Sequence, residues 1–469
     1  MPREKMPDVI VLLPGITGSE LRKNGKVVWG WSGKAILKNI LTAGGQFRKD
    51  LALTRDSPTD ESLGDGITAE RVMSDLHLFP GLWKIDGYTK VADSIKSTFA
   101  VKDGENFFEF PYDWRRDNRS SARVLQRKSA DWLRAWRQRS GKGDAKLILV
   151  GHSMGGLVSR YFLELLEGWR DTRALITFGT PYHGSVNAVN SLSNGEKKFG
   201  IMDLTELART LTALYQLLPI YPCYDAGDGN LQRVAEAPQV PNIDRVRAQE
   251  ALKFHREIED AVKAHENDAE YREKGYRIYP VVGYLQPTNQ SARKSGDGVE
   301  MLQTYEGNDQ SGDGTVPRVS ATPTEKDAAA GMFAATKHGS LQNADTVLTQ
   351  LTGLMTGFYI DPTKYRKPRA APKAVRLSLE NEDIYGRDEK ILVRARPKPK
   401  GASLVARFVD VETGKQVLRA PLKKQTGGWQ AVEFKPPRAG AFRVTVSGDR
   451  SVEPASDVFE MVDVPAGRR

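Results

Sequence analysis

Ser153 stands in Gly151-His152-Ser153-Met154-Gly155, after the aliphatic run Leu147-Ile148-Leu149-Val150 and before Gly156-Leu157-Val158-Ser159-Arg160-Tyr161-Phe162-Leu163. A hydroxyl is a poor nucleophile at neutral pH. It needs a histidine to take its proton and an acid to orient that histidine. The five-residue pattern alone recurs by chance, so its surroundings carry the weight. Here an apolar strand runs in, and a helix with Leu157, Phe162, Leu163 and Leu166 on one face runs out. That context predicts a tight strand–turn–helix with Ser153 at a strained backbone angle and a helix N-terminus beneath it.

The chain has six histidines. His77 and His152 precede the serine, and His152, the variable residue of the turn, is expected to point away from the base's position. His255 and His265 fall in the charged helical stretch 248–266 and read as solvated. His183 follows Phe178-Gly179-Thr180-Pro181-Tyr182 and comes before any acid candidate, so it reads as a pocket residue. His338, in a late loop ahead of a helical run, is the expected base. The acid lies between the two. Gly312-Asp313-Gly314-Thr315-Val316-Pro317 follows a predicted strand over 276–285, and its 25-residue distance to His338 fits one crossover. Gly296-Asp297-Gly298 is a rival on local chemistry, since either aspartate suits a polar turn.

Acyl chemistry also needs two backbone N–H groups aimed at the developing oxyanion. Met154, next after the nucleophile, supplies one. The early loop Pro14-Gly15-Ile16-Thr17-Gly18-Ser19, after the strand Asp8–Leu13, supplies the other. No clustered His/Cys pattern and no full calcium loop accompany these residues, so no metal and no cofactor are expected.

The order of these blocks, together with Pro111-Tyr112-Asp113-Trp114-Arg115 and Tyr215-Gln216-Leu217-Leu218-Pro219, resembles the lecithin:cholesterol acyltransferase family over residues 5–360. That family includes lysosomal phospholipase A2 and phospholipid:diacylglycerol acyltransferases. The resemblance implies Ser153 as nucleophile, Asp313 rather than Asp297 as acid, His338 as base, and the N–H groups of Ile16 and Met154 as oxyanion hole. Thr17, Tyr112, Trp114 and His183 are candidate pocket residues. Secreted animal members hold a lid with a disulfide. With Cys223 as the one cysteine, this chain cannot form that bridge within itself.

The elements that must position these groups read as an α/β-hydrolase: a doubly wound, mostly parallel sheet over 1–363. Strands are expected near 8–13, 106–110, 147–150, 174–178 and 276–285. Helices are expected near 86–98, 119–139, 155–167 and 341–357. An insertion over 186–275 begins apolar, with Leu204, Leu207, Leu211, Leu214, Leu217 and Leu218 at helical spacing. It is expected to form a cap suited to an acyl chain rather than an extra helix on the core. Trp29 and Trp31 suit either a membrane interface or the interior.

A Pro/basic stretch over 361–372 predicts a linker. Beyond it, about seven short alternating segments over 364–469 predict an all-β, immunoglobulin-like sandwich. The formal charge of +10 resides there. Residues 364–469 hold 23 basic and 13 acidic residues, whereas 1–363 hold 46 of each. The basic positions suit a solvated face, anionic lipid headgroups or an acidic protein partner. No reader motif or aromatic interleaving points to nucleic acid.

The first residues leave no room for an apolar leader, no stretch approaches a bilayer span, and cysteine is scarce. These observations predict a cytoplasmic protein, with peripheral contact to membranes. The expected function is a serine-dependent lipid ester hydrolase of phospholipase type. An O-acyltransferase using the same acyl-enzyme is one alternative. A partner-regulated, membrane-targeting effector or interaction scaffold docking through the basic sandwich is another.

Overall fold

A computed structural model describes residues 3–30, 46, 48–74, 77–79, 83–198, 202–327, 331–359, 375–386, 389–399, 401–449 and 451–463. Trp31 and the predicted linker lie outside the described residues.

Six strands form the central sheet: β1 (Val9–Leu13), β2 (Phe107–Glu109), β3 (Leu147–His152), β4 (Thr172–Phe178), β5 (Arg277–Gly283) and β6 (Met332–Ala334). All pairs are parallel, in the order β2-β1-β3-β4-β5-β6. β1 and β3 are buried along their whole length. A strand covered on both faces reads as an unbroken aliphatic run, which is why Val9–Leu13 and Leu147–Val150 show no alternation. The order reverses at β1, which makes the carboxyl ends of β1 and β3 the topological switch point of the sheet. Pro14–Ser19 leaves β1 there, and Ser153 leaves β3.

One face of the sheet is covered by α1 (Thr89–Thr98) and α5 (Asp345–Gly357), the other by α2 (Asn118–Ser140), α3 (Met154–Leu165) and α4 (Arg245–Glu266). Asp117 caps α2 by accepting from the Arg119 N–H, and Gly141 ends it in the left-handed conformation. These are the start and stop signals that local sequence supplies.

In the insertion, Leu204, Leu207, Leu211, Leu214, Leu217 and Leu218 are all buried in the apolar cluster that includes one face of the sheet. Trp29 is likewise interior, its ring edge against Trp114 at 4.7 Å. His255 and His265 depart from the solvated reading. His255 is 2 % exposed, and its Nε2–H donates to the Gln216 carbonyl at 2.7 Å. His265 Nδ1 meets Glu164 at 2.7 Å. The overall polarity of α4 hides the stripe Ala248, Ala251, Phe254, His255, Ile258 and Val262 that faces the core.

Among the described residues beyond 375, the regular elements are strands apart from one 3-10 turn at Thr426–Gly428. β7 (Arg376–Glu380), β9 (Ile391–Lys398), β12 (Lys423–Lys424) and β13 (Gln430–Phe434) form one antiparallel sheet, ordered β7-β9-β13-β12. β8 (Ile384–Gly386), β10 (Val405–Asp410), β11 (Gln416–Pro421), β14 (Gly440–Ser447) and β15 (Ala455–Val462) form a second sheet, ordered β8-β15-β14-β10-β11 and antiparallel except for the parallel β8–β15 pair. Alternate residues of β9 and β14 are buried, as a half-solvated strand requires. The core between the sheets (Leu377, Ile391, Val393, Phe408, Phe434, Phe442, Phe459 and neighbours) draws only on residues 375–461.

Candidate active site

Ser153 is the N-cap of α3, with φ +52° and ψ −125°. A non-glycine residue holds such angles only when its surroundings insist. The Ser153 N–H donates to the Phe178 carbonyl at 2.8 Å. Its carbonyl accepts from the Gly156 N–H at 3.0 Å and from Thr180 Oγ1 at 2.9 Å. Gly155 is obligatory beside it, since a Cβ there would stand 2.5 Å from the Pro14 carbonyl oxygen.

Ser153, His338 and Asp313 lie in one hydrogen-bonded row. His338 Nε2 is 3.0 Å from Ser153 Oγ, and Nδ1 is 2.7 Å from Asp313 Oδ2. All three are buried, at 3 %, 4 % and 1 % exposure. With Nδ1–H donating to the carboxylate, Nε2 is left to accept the serine proton. The other carboxylate oxygen, Asp313 Oδ1, accepts from the N–H groups of Thr315 at 2.9 Å and Val316 at 2.7 Å. The His338 N–H donates to the Asp313 carbonyl at 2.8 Å, tying the two loops together. Asp297 occupies the exposed turn of a surface hairpin, its carbonyl accepting from Asn242.

Gly179 ends β4 at φ +56°. A Cβ there would approach Asp313 Oδ2 to 2.8 Å and His338 Nδ1 to 2.9 Å. The Asp313–His338 pair therefore sits in space that only glycine leaves open.

His152 was expected to point away from the base, and it does not. Its ring centroid is 4.9 Å from that of His338, and its Nε2 is 3.1 Å from the His338 carbonyl. The tautomer follows from its neighbours. The Gly15 N–H donates to Tyr88 Oη at 2.8 Å, so the Tyr88 hydroxyl donates to His152 Nδ1 at 2.9 Å. That leaves Nε2–H to donate to His338. Burial first, and the nearby His338 ring second, hold the His152 pKa well below the usual histidine range. The ring is a neutral bracket between the early loop and His338. Sequence reasoning missed it because the signal is a tertiary contact across 186 positions.

The early loop lies against Ser153. A Cβ on Gly15 would stand 2.9 Å from Ser153 Cβ. Ile16 and Met154 are both buried. Thr17, at φ +62°, accepts from Trp29 Nε1 through its carbonyl at 2.9 Å. Tyr112 Oη donates to the Pro14 carbonyl at 2.8 Å, and Trp114 Nε1 to the Ser19 carbonyl at 3.2 Å. Tyr112 and Trp114 thus brace this loop. His183 Nδ1 is 3.2 Å from the Val319 carbonyl. It lines a small polar cavity with Arg160, His255 and Glu325 whose lining does not include Ser153. Among the described residues no group of three or more His, Cys, Asp or Glu is disposed to hold a metal ion. No helix among them is long and apolar enough to cross a membrane.

Residues 81–277 match the family described as lecithin:cholesterol acyltransferase. The lysosomal phospholipase A and acyltransferase of Homo sapiens is 29 % identical over 124 residues, covering 25 % of this chain and 29 % of that protein. The Rattus norvegicus protein of the same name is 27 % identical over 126 residues, with the same coverage. The chain therefore spans less than a third of the length of these relatives. Among solved structures, the Tle4-Tli4 complex aligns with a TM-score of 0.48 and 14 % identity, over 76 % of this chain and 99 % of that one. The propeptide form of Bacillus licheniformis lipase BlEst2 aligns with a TM-score of 0.37 and 13 % identity, over 98 % of this chain and 94 % of that one. Over residues 81–277 the chain is thus similar to the lecithin:cholesterol acyltransferase family.

Proposed function

We propose that the protein is a serine-dependent lipid ester hydrolase of phospholipase type. The observation that carries this reading is the buried row from Ser153 Oγ through His338 to Asp313, at 3.0 and 2.7 Å. Ser153 Oγ attacks the ester carbonyl carbon as His338 Nε2 takes its proton. Asp313 keeps the imidazole oriented and offsets its charge once protonated. The N–H groups of Ile16 and Met154 hold the oxyanion. The tetrahedral adduct collapses, the ester C–O bond breaks, and His338 returns the proton to the leaving alcohol. A water then attacks the acyl-Ser153 ester, His338 again taking and returning a proton. Fatty acid leaves, and the serine is restored.

The test is release of fatty acid from phospholipid mixed micelles by the full chain. Ser153→Ala is expected to lose about 10³-fold or more in kcat. Equal rates in the two proteins would overturn the proposal.

A second reading, transfer of the acyl group to an alcohol, is favoured by the names of the two curated relatives. Adding a long-chain alcohol is then expected to divert acyl groups into a new ester. Free acid as the sole product at every acceptor concentration would reject it.

A further inference from the structure

The sandwich meets the rest of the protein at the two loops that carry Asp313 and His338. The first contact is Gln286, just beyond β5 and 2 % exposed. Its backbone N–H donates to the Gly312 carbonyl at 3.0 Å, and it forms a parallel bridge with Asp313. Its side-chain amide does the opposite job. Nε2–H donates to the Leu377 carbonyl at 3.1 Å, and Oε1 accepts from the Leu379 N–H at 3.0 Å. β7 is an edge strand, and the primary amide copies one rung of a β-ladder along that edge. One residue thus pairs with the acid loop through its backbone and with the sandwich through its side chain.

The other contacts flank His338. Lys337 Nζ lies 3.2 Å from Asp457 Oδ2 on β15, a carboxylate 1 % exposed. On the far side, the Gly339 carbonyl accepts from the Asp86 N–H at 2.8 Å. The Asp86 carboxylate is paired with the Arg443 guanidinium of β14. Asn343 Nδ2 donates to the Asp86 carbonyl at 2.8 Å and closes this corner. Residues 337 and 339 are therefore both tied to the sandwich, one directly and one through Asp86. In each pair a partly exposed cation meets a buried carboxylate, and removing the cation would leave that buried charge uncompensated.

We propose that the C-terminal sandwich is a clamp that aligns the acid and base loops, with Gln286, Lys337, Asp86, Arg443 and Asp457 as positioning residues. This rests on the reading of Ser153, His338 and Asp313 as the catalytic group. Residues 311–317 hold isolated bridges but no strand, and 335–343 hold one 3-10 turn, so neither loop is a strand of the central sheet. A displacement of about 1 Å in a catalytic constellation costs about 10²-fold in rate, so a clamp acts on turnover rather than on substrate capture.

The test uses the full chain carrying Lys337→Met, Asp457→Asn, both together, Arg443→Ala or Arg443→Lys. Two readouts are kcat and KM on a short-chain ester. A third is the rate at which a fluorophosphonate probe modifies Ser153, and circular dichroism checks that each variant is folded. Arg443→Ala is expected to lower kcat and probe reactivity together by about tenfold, with KM within about twofold. Arg443→Lys is expected to recover most of the loss. Lys337→Met and Asp457→Asn are expected to be equally impaired, and the double variant no worse than either, because they remove one shared contact.

Folded variants with wild-type kcat and probe reactivity would overturn the clamp, as would a change confined to KM. Should Arg443→Ala fail to fold, the separate Lys337–Asp457 pair decides by the same criteria. A wild-type protein that shows neither ester turnover nor Ser153 labelling would instead sink the catalytic reading itself.

Discussion

Ser153 reaches His338 because its backbone is bent to φ +52°, a conformation held from three sides by Phe178, Gly156 and Thr180. The groups behind the reacting atoms matter as much as the atoms. Asp313→Asn keeps the size of the acid but lets its amide donate where it must accept. The wrong histidine tautomer then faces the serine, and kcat is expected to fall by about 10³- to 10⁴-fold with little change in thermal midpoint. Steady-state kinetics and calorimetry on the same preparation check both halves. Tyr88→Phe acts further back. It leaves the buried Gly15 N–H without its acceptor and frees His152 Nδ1, so a stability loss of about 1–3 kcal/mol is expected in denaturant unfolding. Neither residue betrayed its role in the sequence. Tyr88 looks like any helix-start aromatic, and His152 like the variable position of a five-residue pattern.

Secondary-structure elements deliver these groups, and their boundaries carry the constraint. Gly179 closes β4 where the acid–base pair packs. Gly179→Ala combines a left-handed φ with a Cβ contact of 2.8 Å to Asp313 Oδ2. The variant is expected to lose about 10²-fold in kcat by parting the acid from the base, while retaining fold by circular dichroism.

In the sandwich, β15 carries Glu460. Burial, with a smaller push from Glu412, raises its pKa to about 7. The folded state therefore holds this proton more tightly than the unfolded chain. The stabilising contribution is complete below the unfolded value near 4.5 and is lost as pH rises towards about 7. Glu460→Gln is expected to raise the unfolding free energy at about pH 8 by up to about 3 kcal/mol and to leave it nearly unchanged at about pH 4. Denaturant titrations at the two pH values check it.

At the scale of the whole molecule, a charge-balanced 363-residue part precedes a strongly basic one. In the sandwich, Trp429 is flanked by Arg394 and Arg396, whose guanidinium carbons lie 4.8 and 4.7 Å from its ring centroid. Cationic groups gathered this way are drawn to anionic bilayer surfaces, and the attraction weakens with salt. The full chain is expected to co-sediment with phosphatidylglycerol vesicles at about 0.05 M salt and to be released at about 0.5 M, with no binding to phosphatidylcholine alone. Salt-independent binding, or binding to both lipids alike, would count against an electrostatic role for the sandwich.

Much of this was legible in the chain because it is local. Each of β1, β3 and β4 is encoded by consecutive apolar residues. The turn at Ser153 is encoded by glycines at fixed offsets, and α2 by its Asp117 cap and terminal Gly141. The sandwich announced itself through alternation, which needs only neighbours two apart. Residues 361–372 carried a linker signal of the same local kind, but they lie outside the described residues.

By itself, then, the sequence determined that a strained serine follows a buried strand, that a late loop histidine was available to it, and that a basic β-rich segment follows. Local chemistry left Asp313 and Asp297 level. Only the tertiary structure put one against His338 and the other at an exposed turn. It also turned the apolar stripe of the insertion inward, made His255 an interior residue, and brought Gln286, Asp86 and Lys337 against the sandwich. These outcomes depend on contacts between residues from 25 to more than 300 positions apart. Such contacts are settled by which surfaces exclude water together, and no window of neighbouring residues records that.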